Sequence, residues 1–161
     1  MQLILYFSVE KQTTAKVAQD LADYLKKQQQ EVSVIEIKPE IPYTAADLRY
    51  LNPLARCNKE KFTGSDVSIS EATKAELKDW DKYDAVFLGF PVWYGAAPNV
   101  INSFCKEMDW TGKKVFIFAT SKASGIGRTA EKLKPSLNGA DIAGAWRVKT
   151  AEEVARHLSA K

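Results

Sequence analysis

The sequence has few residues of the kinds that build metal centres and disulfide frameworks. Its 161 residues include only two cysteines, Cys57 and Cys105, and one histidine, His157. The cysteines match neither a metal-ligand spacing nor a Cys-x-x-Cys motif, so we expect no metal and a reduced, cytoplasmic protein. His157 lies in the C-terminal segment, where we expect it on the surface of a helix and without a catalytic role.

Long apolar runs and a strong excess of one charge are also absent. No apolar run approaches the roughly 18 residues that cross a bilayer, and the first residues lack the basic start and the cleavage site of a signal peptide. The chain has 23 Lys and Arg against 20 Asp and Glu, a net charge of +3. We therefore expect no membrane and no nucleic-acid partner, since a nucleic-acid site needs clustered basic residues.

The composition is that of one globular domain over residues 1–161, with 45% hydrophobic and 27% charged residues. Short, nearly continuous apolar runs are typical of parallel strands that are covered on both faces. Such runs, with two weaker ones, predict five strands: 2–7, 31–37, 85–90, 115–119 and 140–148.

Helical patterns fall between these runs. Val17, Leu21 and Leu25 predict one face of a helix that begins near Thr14. Further helices are expected at four places: after a capping box of Ser68 and Glu71, after Pro98, after Gly127 with a disturbance at Pro135, and after a capping box of Thr150 and Glu153.

Alternating strands and helices predict an α/β fold with a doubly wound, five-stranded parallel sheet. The expected strand order is 2-1-3-4-5, that of flavodoxin-like folds. A long segment, residues 38–67, follows the second strand and contains three prolines, Pro39, Pro42 and Pro53. We expect this segment to be ordered and packed on the domain, since long loops without a function are uncommon.

Three unusual loops follow the first, third and fourth strands, where ligands bind in open α/β sheets. The first loop joins a strand to a helix N-terminus and adds hydroxyls and a lysine, which suits an anion. Its alternative role is plain capping of the helix by Thr13. The second has two adjacent aromatics that a planar ligand would cover, unless they pack on segment 38–67 instead. The third loop consists mainly of small and polar residues, which let a ligand approach the backbone closely. The candidate cofactor-binding residues are Ser8, Val9, Lys11, Gln12, Thr13 and Thr14; Pro91, Val92, Trp93, Tyr94 and Gly95; and Thr120, Ser121, Gly125 and Gly127.

Familiar nucleotide motifs do not describe these loops. A GxxxxGK[ST] phosphate loop is absent, and the GxGxxA pattern at 125–130 follows the fourth strand, not the first. No aspartate follows the strands to hold a metal ion, which argues against a nucleoside triphosphate and against a phospho-acceptor site. An anion end, an aromatic pair and a small polar wall suit FMN better.

At this point the chain resembles a short bacterial branch of the flavodoxin family. The branch has a YFS-type first loop, a GYPIWWG-like second loop and a TSGGSGIG-like third loop. The corresponding segments are Tyr6-Phe7-Ser8, residues 89–95 and residues 120–127. Segment 38–67 matches too, at residues 43–48, 52–53 and 56–60.

The resemblance implies that Ser8 and Thr14 hold the FMN phosphate and that residues 91–95 line the isoalloxazine ring, with Trp93 or Tyr94 against it. Thr120, Ser121 and residues 125–127 would form the remaining wall. Arg56 and Glu60 have no settled role in the family, and we expect an internal ion pair that anchors the segment.

The first loop departs from the SxSGNT pattern of the family. It spans seven residues, Ser8 to Thr14, with Lys11, Gln12 and Thr13 where Ser, Gly and Asn would stand. Gln12 thus replaces a glycine that would permit a tight turn around phosphate.

The leading functional hypothesis is an FMN protein for electron transfer, in which the protein binds and tunes the flavin. Its partner would be a redox protein or a small acceptor, and it would be a monomer or homodimer. One alternative is an NAD(P)H-dependent FMN oxidoreductase that reduces a quinone or a similar acceptor. The other is a flavin-free binding module on the same fold.

Overall fold

A computed structural model describes residues 1–9, 12–49, 51–121 and 125–160. The strands are β1 (Gln2–Tyr6), β2 (Val32–Glu36), β3 (Ala85–Pro91), β4 (Lys114–Thr120) and β5 (Asp141–Val148). The helices are α1 (Thr13–Lys27), α2 (Arg56–Thr63), α3 (Glu71–Glu76), α4 (Asn99–Glu107), α5 (Thr129–Leu133) and α6 (Ala151–Ser159).

The five strands form one parallel sheet in the order β2-β1-β3-β4-β5. This confirms the predicted fold and strand order. The central strands β1 and β3 are almost entirely buried, as their continuous apolar sequences require. The carboxyl ends of β1, β3 and β4 therefore lie side by side, and the three candidate loops leave the sheet at the same edge.

Helices cover both faces of the sheet. On one face, α1 and α6 pack on β1, β3 and β4 through Val17, Leu21 and Val154. On the other, α4 and the segments around α2, α3 and α5 enclose a second core that includes Ile101 and Phe104. Among the described residues, no helix is long and apolar enough to span a bilayer.

The predicted capping box of the third helix is wrong by two residues. Ser70, not Ser68, is the N-cap of α3, and its hydroxyl accepts a hydrogen bond from the Thr73 amide at 3.3 Å. The residues before it are held extended, because Ile69 forms an antiparallel bridge with Pro39. Because of this pairing, α3 begins after Ser70 and not after Ser68.

The other helix boundaries follow the sequence more closely. Pro98 is the N-cap of α4, and α5 changes to a 3₁₀ turn at Lys134–Ser136, next to Pro135 as expected. Thr150 is the N-cap of α6 but makes no side-chain cap, and Glu153 accepts from the Lys149 amide instead.

Segment 38–67 contains α2, a helix that the sequence patterns did not predict, and a 3₁₀ turn at Ala46–Leu48. We expect the whole segment to pack on the domain, but in the structure only part of it does. Ala55, Cys57 and Val67 are buried in the core, whereas Leu51 and Phe62 are 100% and 84% exposed. The segment is therefore anchored along one side only.

Candidate functional site

The first loop leads from β1 into α1. The Ser8 hydroxyl accepts a hydrogen bond from the Ala15 amide at 3.3 Å, and the Gln12 amide donates to the Val9 carbonyl at 2.8 Å. Ser8 thus satisfies one of the amides at the start of the helix. Lys11, also predicted here, lies outside the described residues.

Two further amides at this helix terminus have no partner in the described part of the chain. Those of Thr13 and Thr14 donate no hydrogen bond there, and Gln12 occupies the N-cap position without a side-chain cap. Thr13 is therefore the first helical residue and not the cap, which corrects the alternative that the sequence left open for it. The first turn of α1 contains no acidic residue, and its last turn has Lys26 and Lys27. Within the described residues, these two amides and the positive end of the helix dipole are thus available to an anion.

Gln12 adopts a left-handed backbone conformation, with φ of 54° and ψ of 23°. Its position is that of the glycine in the SxSGNT pattern, so the backbone retains the conformation although the residue has changed. A non-glycine residue in this conformation costs roughly 1 kcal/mol.

We expect Gln12→Gly to relieve this cost and to stabilise the loop in its present form. The free energy of unfolding should rise by about 0.5–1 kcal/mol, less than the full strain because glycine also gains entropy in the unfolded chain. Urea denaturation followed by circular dichroism measures it. Gln12→Ala, which keeps the strain, is the control and should change stability by less than about 0.3 kcal/mol. Equal effects of the two substitutions would show that the φ angle is not the cause.

The first and third loops are joined by a buried hydrogen bond. The Thr14 and Thr120 hydroxyls lie 2.7 Å apart, and both residues are buried. The second loop joins the same point, because the Val92 amide donates to the Thr120 carbonyl at 3.0 Å. The structure therefore brings together residues that the sequence assigned to one site from three separate loops.

The two adjacent aromatics have different environments. The Trp93 ring is 5% exposed and makes edge contacts with Tyr43 and Phe7, at centroid distances of 5.4 Å and 5.7 Å. Packing on segment 38–67, the alternative to ligand contact, therefore describes Trp93. Tyr94 is 39% exposed, and it is the aromatic of this pair whose surface is available to a planar ligand.

Tyr94 and Gly95 form a tight reverse turn. Their φ angles are 54° and 70°, and Trp93 and Ala96 exchange backbone hydrogen bonds of 2.9 Å and 3.0 Å across it. Two successive positive φ angles are characteristic of a type I′ turn, in which glycine is favoured. Tyr94 therefore holds a conformation that is unfavourable for a side chain of its size.

A network of an ion pair, a hydrogen bond and a cation–π contact in segment 38–67 holds Tyr43, which packs against Trp93. Arg56 Nε lies 2.7 Å from Glu60 Oε1, which confirms the expected ion pair. The Tyr43 hydroxyl donates to the other oxygen of Glu60, and the Arg56 guanidinium lies 4.0 Å from the centre of the Tyr43 ring. Burial raises the pKa of Tyr43, and the hydrogen bond to Glu60 raises it further. Tyr43 thus remains neutral and fixed against the Trp93 ring.

The third loop is open where the structure describes it. Gly125 and Gly127 are exposed, Ser121 is half-buried, and no heavy atom lies within 4 Å of where a Cβ of Gly125 would be. Residues 122–124 lie outside the described part. From α5, Thr129 and Lys132 donate to the Gly95 carbonyl at 3.5 Å and 3.3 Å, so the helix that follows the third loop also holds the second.

Other features of the described residues do not compete with this site. A cleft of about 530 Å³ lies between α1 and α6, next to Tyr24 and Arg156, and no predicted site residue lines it. Within the described ranges, no group of three or more His, Cys, Asp or Glu could hold a metal ion. His157 is exposed on α6, as expected, and stacks on Trp146 at 4.9 Å.

The family model for flavodoxin matches residues 1–154. The chain belongs to the flavodoxin family. This membership confirms the resemblance seen in the sequence and supports FMN as the expected cofactor. No curated protein matches the chain significantly.

Solved structures share the fold over almost the whole chain. A proposed flavoprotein from Bacteroides eggerthii is 29% identical, with a TM-score of 0.85 over 99% of this chain and 96% of that one. One from Bacteroides uniformis is also 29% identical, with a TM-score of 0.79 over 98% and 97%. A flavoprotein from Lactobacillus acidophilus, solved in complex with FMN, is 19% identical, with a TM-score of 0.66 over 96% of both chains.

Tyr43 and Asn58 are residues of this region that the sequence analysis did not assign to the site. Tyr43 supports Trp93, and the Asn58 side chain contacts the Tyr94 hydroxyl. Both lie within the parts of segment 38–67 that match the family, at 43–48 and 56–60. That match was the signal that could have identified them.

Proposed function

We propose that this flavodoxin-family protein binds FMN at the three loops and acts in electron transfer. It would receive electrons from a donor and pass them to a redox partner protein or a small acceptor. The observation that carries the proposal is the buried contact between Thr14 and Thr120. It joins the N-terminus of α1 to the third loop, and the Thr120 carbonyl, which accepts from the Val92 amide, joins both to the second loop.

The residues present fit the parts of FMN. The phosphate would be held by the amides of Thr13 and Thr14, which have no partner among the described residues, and by the positive end of α1, with the exposed Thr13 hydroxyl as a further donor. Tyr94 offers an exposed aromatic surface to the ring, and Ser121 with the glycines of the third loop offers a small polar wall. A flavoprotein from Lactobacillus acidophilus with the same fold was solved in complex with FMN, which supports FMN as the ligand.

The bound FMN would supply the redox chemistry, and the protein's part is to hold the ring and exclude water from it. The candidate residues in the described parts of the three loops include no histidine, aspartate or glutamate. No imidazole or carboxylate is therefore placed there for general acid–base catalysis, and electron transfer through FMN requires none. The two described cysteines are free and buried, which agrees with a reducing, cytoplasmic location.

Steady-state reduction separates the proposal from its nearest alternative. The FMN-loaded protein is mixed anaerobically with NADPH or NADH, with and without a ferredoxin–NADP⁺ reductase, and cytochrome c is the final acceptor. We expect rapid reduction only when the reductase is present. Steady oxidation of NADPH or NADH by the protein alone would overturn electron transfer and favour the NAD(P)H-dependent oxidoreductase.

A further inference from the structure

Segment 38–67 contacts the side chain of Tyr94, the exposed tyrosine of the second loop. The Tyr94 hydroxyl donates a hydrogen bond to Asn58 Oδ1, and it lies 3.6 Å from Cys57 Sγ. Both contacts are made by the first turn of α2, and Asn58 and Cys57 are 5% and 2% exposed. The end of the Tyr94 side chain is therefore fixed by a segment far from it in sequence.

The orientation of the Asn58 amide is itself determined. Its Nδ2 donates to the Asn52 carbonyl at 2.7 Å and to the Arg49 carbonyl at 3.5 Å. Because the NH₂ group is used by these carbonyls, Oδ1 faces the tyrosine, and Tyr94 must be the donor. Asn58 thus connects the turn before α2 to the second loop through a single buried side chain.

This contact offsets an unfavourable backbone. Tyr94 has a φ of 54° in its turn, a conformation that a side chain of this size rarely adopts without support. The backbone hydrogen bonds between Trp93 and Ala96 close the turn but do not direct the phenol ring. The bond to Asn58, beside the contact with Cys57, fixes the end of the ring.

We propose that Asn58 is a positioning residue that holds the Tyr94 ring at the edge of the flavin site, so that segment 38–67 sets the affinity for FMN. The inference rests on the proposed function. Binding then requires the ring orientation that Asn58 stabilises within the closed turn. Loss of the bond lowers the populated fraction of that ring orientation, and the apparent affinity falls by the same factor.

Tyr94→Phe tests this, because it removes the hydroxyl and keeps the ring. Titration of FMN, followed by quenching of its fluorescence, should give a dissociation constant about five-fold higher than that of the wild type. The visible circular dichroism of bound FMN should also change, because the ring is placed differently. Tyr24→Phe, on α1 and away from the loops, is the control and should change neither signal.

Asn58→Ala should weaken binding at least as much, and adding Tyr94→Phe to it should have no further effect. An effect of Tyr94→Phe of equal size in both backgrounds would overturn the coupling between the two residues. Tyr94→Phe alone keeps the test valid if Asn58→Ala disturbs the turn before α2.

Amide hydrogen exchange in the FMN-free protein separates this inference from the proposed function. We expect Tyr94→Phe to speed exchange of the Ala96 amide about five-fold, since this amide closes the turn. Wild-type protein that fails to bind FMN would refute the proposed function and the flavin part of this inference, while exchange still decides whether Asn58 fixes the loop. Wild-type binding with no change in Tyr94→Phe, in affinity or in exchange, would overturn the inference alone.

Discussion

Thr13→Glu is expected to weaken FMN binding about 100-fold, which corresponds to roughly 2.7 kcal/mol. Thr13 is exposed at the first position of α1, next to the amides proposed to hold the phosphate. A carboxylate there would repel the phosphate and compete for the same amides. Fluorescence titration with FMN at low salt measures the effect, and added salt should reduce it.

The same substitution should act in the opposite direction on the FMN-free protein. A negative charge in the first turn of a helix is stabilising by about 0.3–1 kcal/mol, and α1 has no acidic residue there. Thr13→Gln is the matched neutral control and should weaken binding by less than about five-fold. Equal losses of affinity in the two variants would show that the phosphate does not bind at this helix terminus.

Gly89→Ala should lower the free energy of unfolding by about 2–3 kcal/mol, and Gly89→Val should lower it further. Gly89 lies in β3, and a Cβ there would be 2.2 Å from the ring of Phe118 on the neighbouring strand. Phe118 is fully buried, so its ring cannot leave without exposing apolar surface. Urea denaturation of the FMN-free protein, followed by circular dichroism, gives the values.

Two further variants isolate the cause. Gly125→Ala, where a Cβ meets no heavy atom within 4 Å, should change stability by less than about 0.5 kcal/mol. Phe118→Leu should partly rescue Gly89→Ala, because the shorter side chain leaves room for the methyl group. If the double variant is less stable than the two single effects predict, the collision with Phe118 is not the reason for the glycine.

The sheet and α1 could be predicted because their patterns are local. Continuous apolar runs identified the buried strands, and apolar spacing gave the buried face of α1. The left-handed position of Gln12 agrees with the glycine of the family pattern. These features depend on residues that are close in sequence, so they can be recognised from the sequence alone.

The features that the sequence patterns missed or left open are ones that distant residues determine. The sequence of α2 is RCNKEKFT, which has little apolar periodicity, and the helix is fixed by buried Cys57 and Asn58. Ser70 and not Ser68 caps α3 because Pro39 holds Ile69 extended. Trp93 is buried because Tyr43, fifty residues earlier, lies against it. These contacts join residues far apart in sequence, so local residue patterns and spacings do not reveal them.

Retention of FMN by the purified protein tests the central claim most directly. FMN is added, the protein is desalted, and the visible absorption spectrum and flavin fluorescence are recorded. We expect flavin bands to remain with the protein and the fluorescence to be quenched by the nearby aromatic ring. A colourless protein after desalting would contradict a phosphate site at α1, and the flavin-free binding module would then be the better account of this fold.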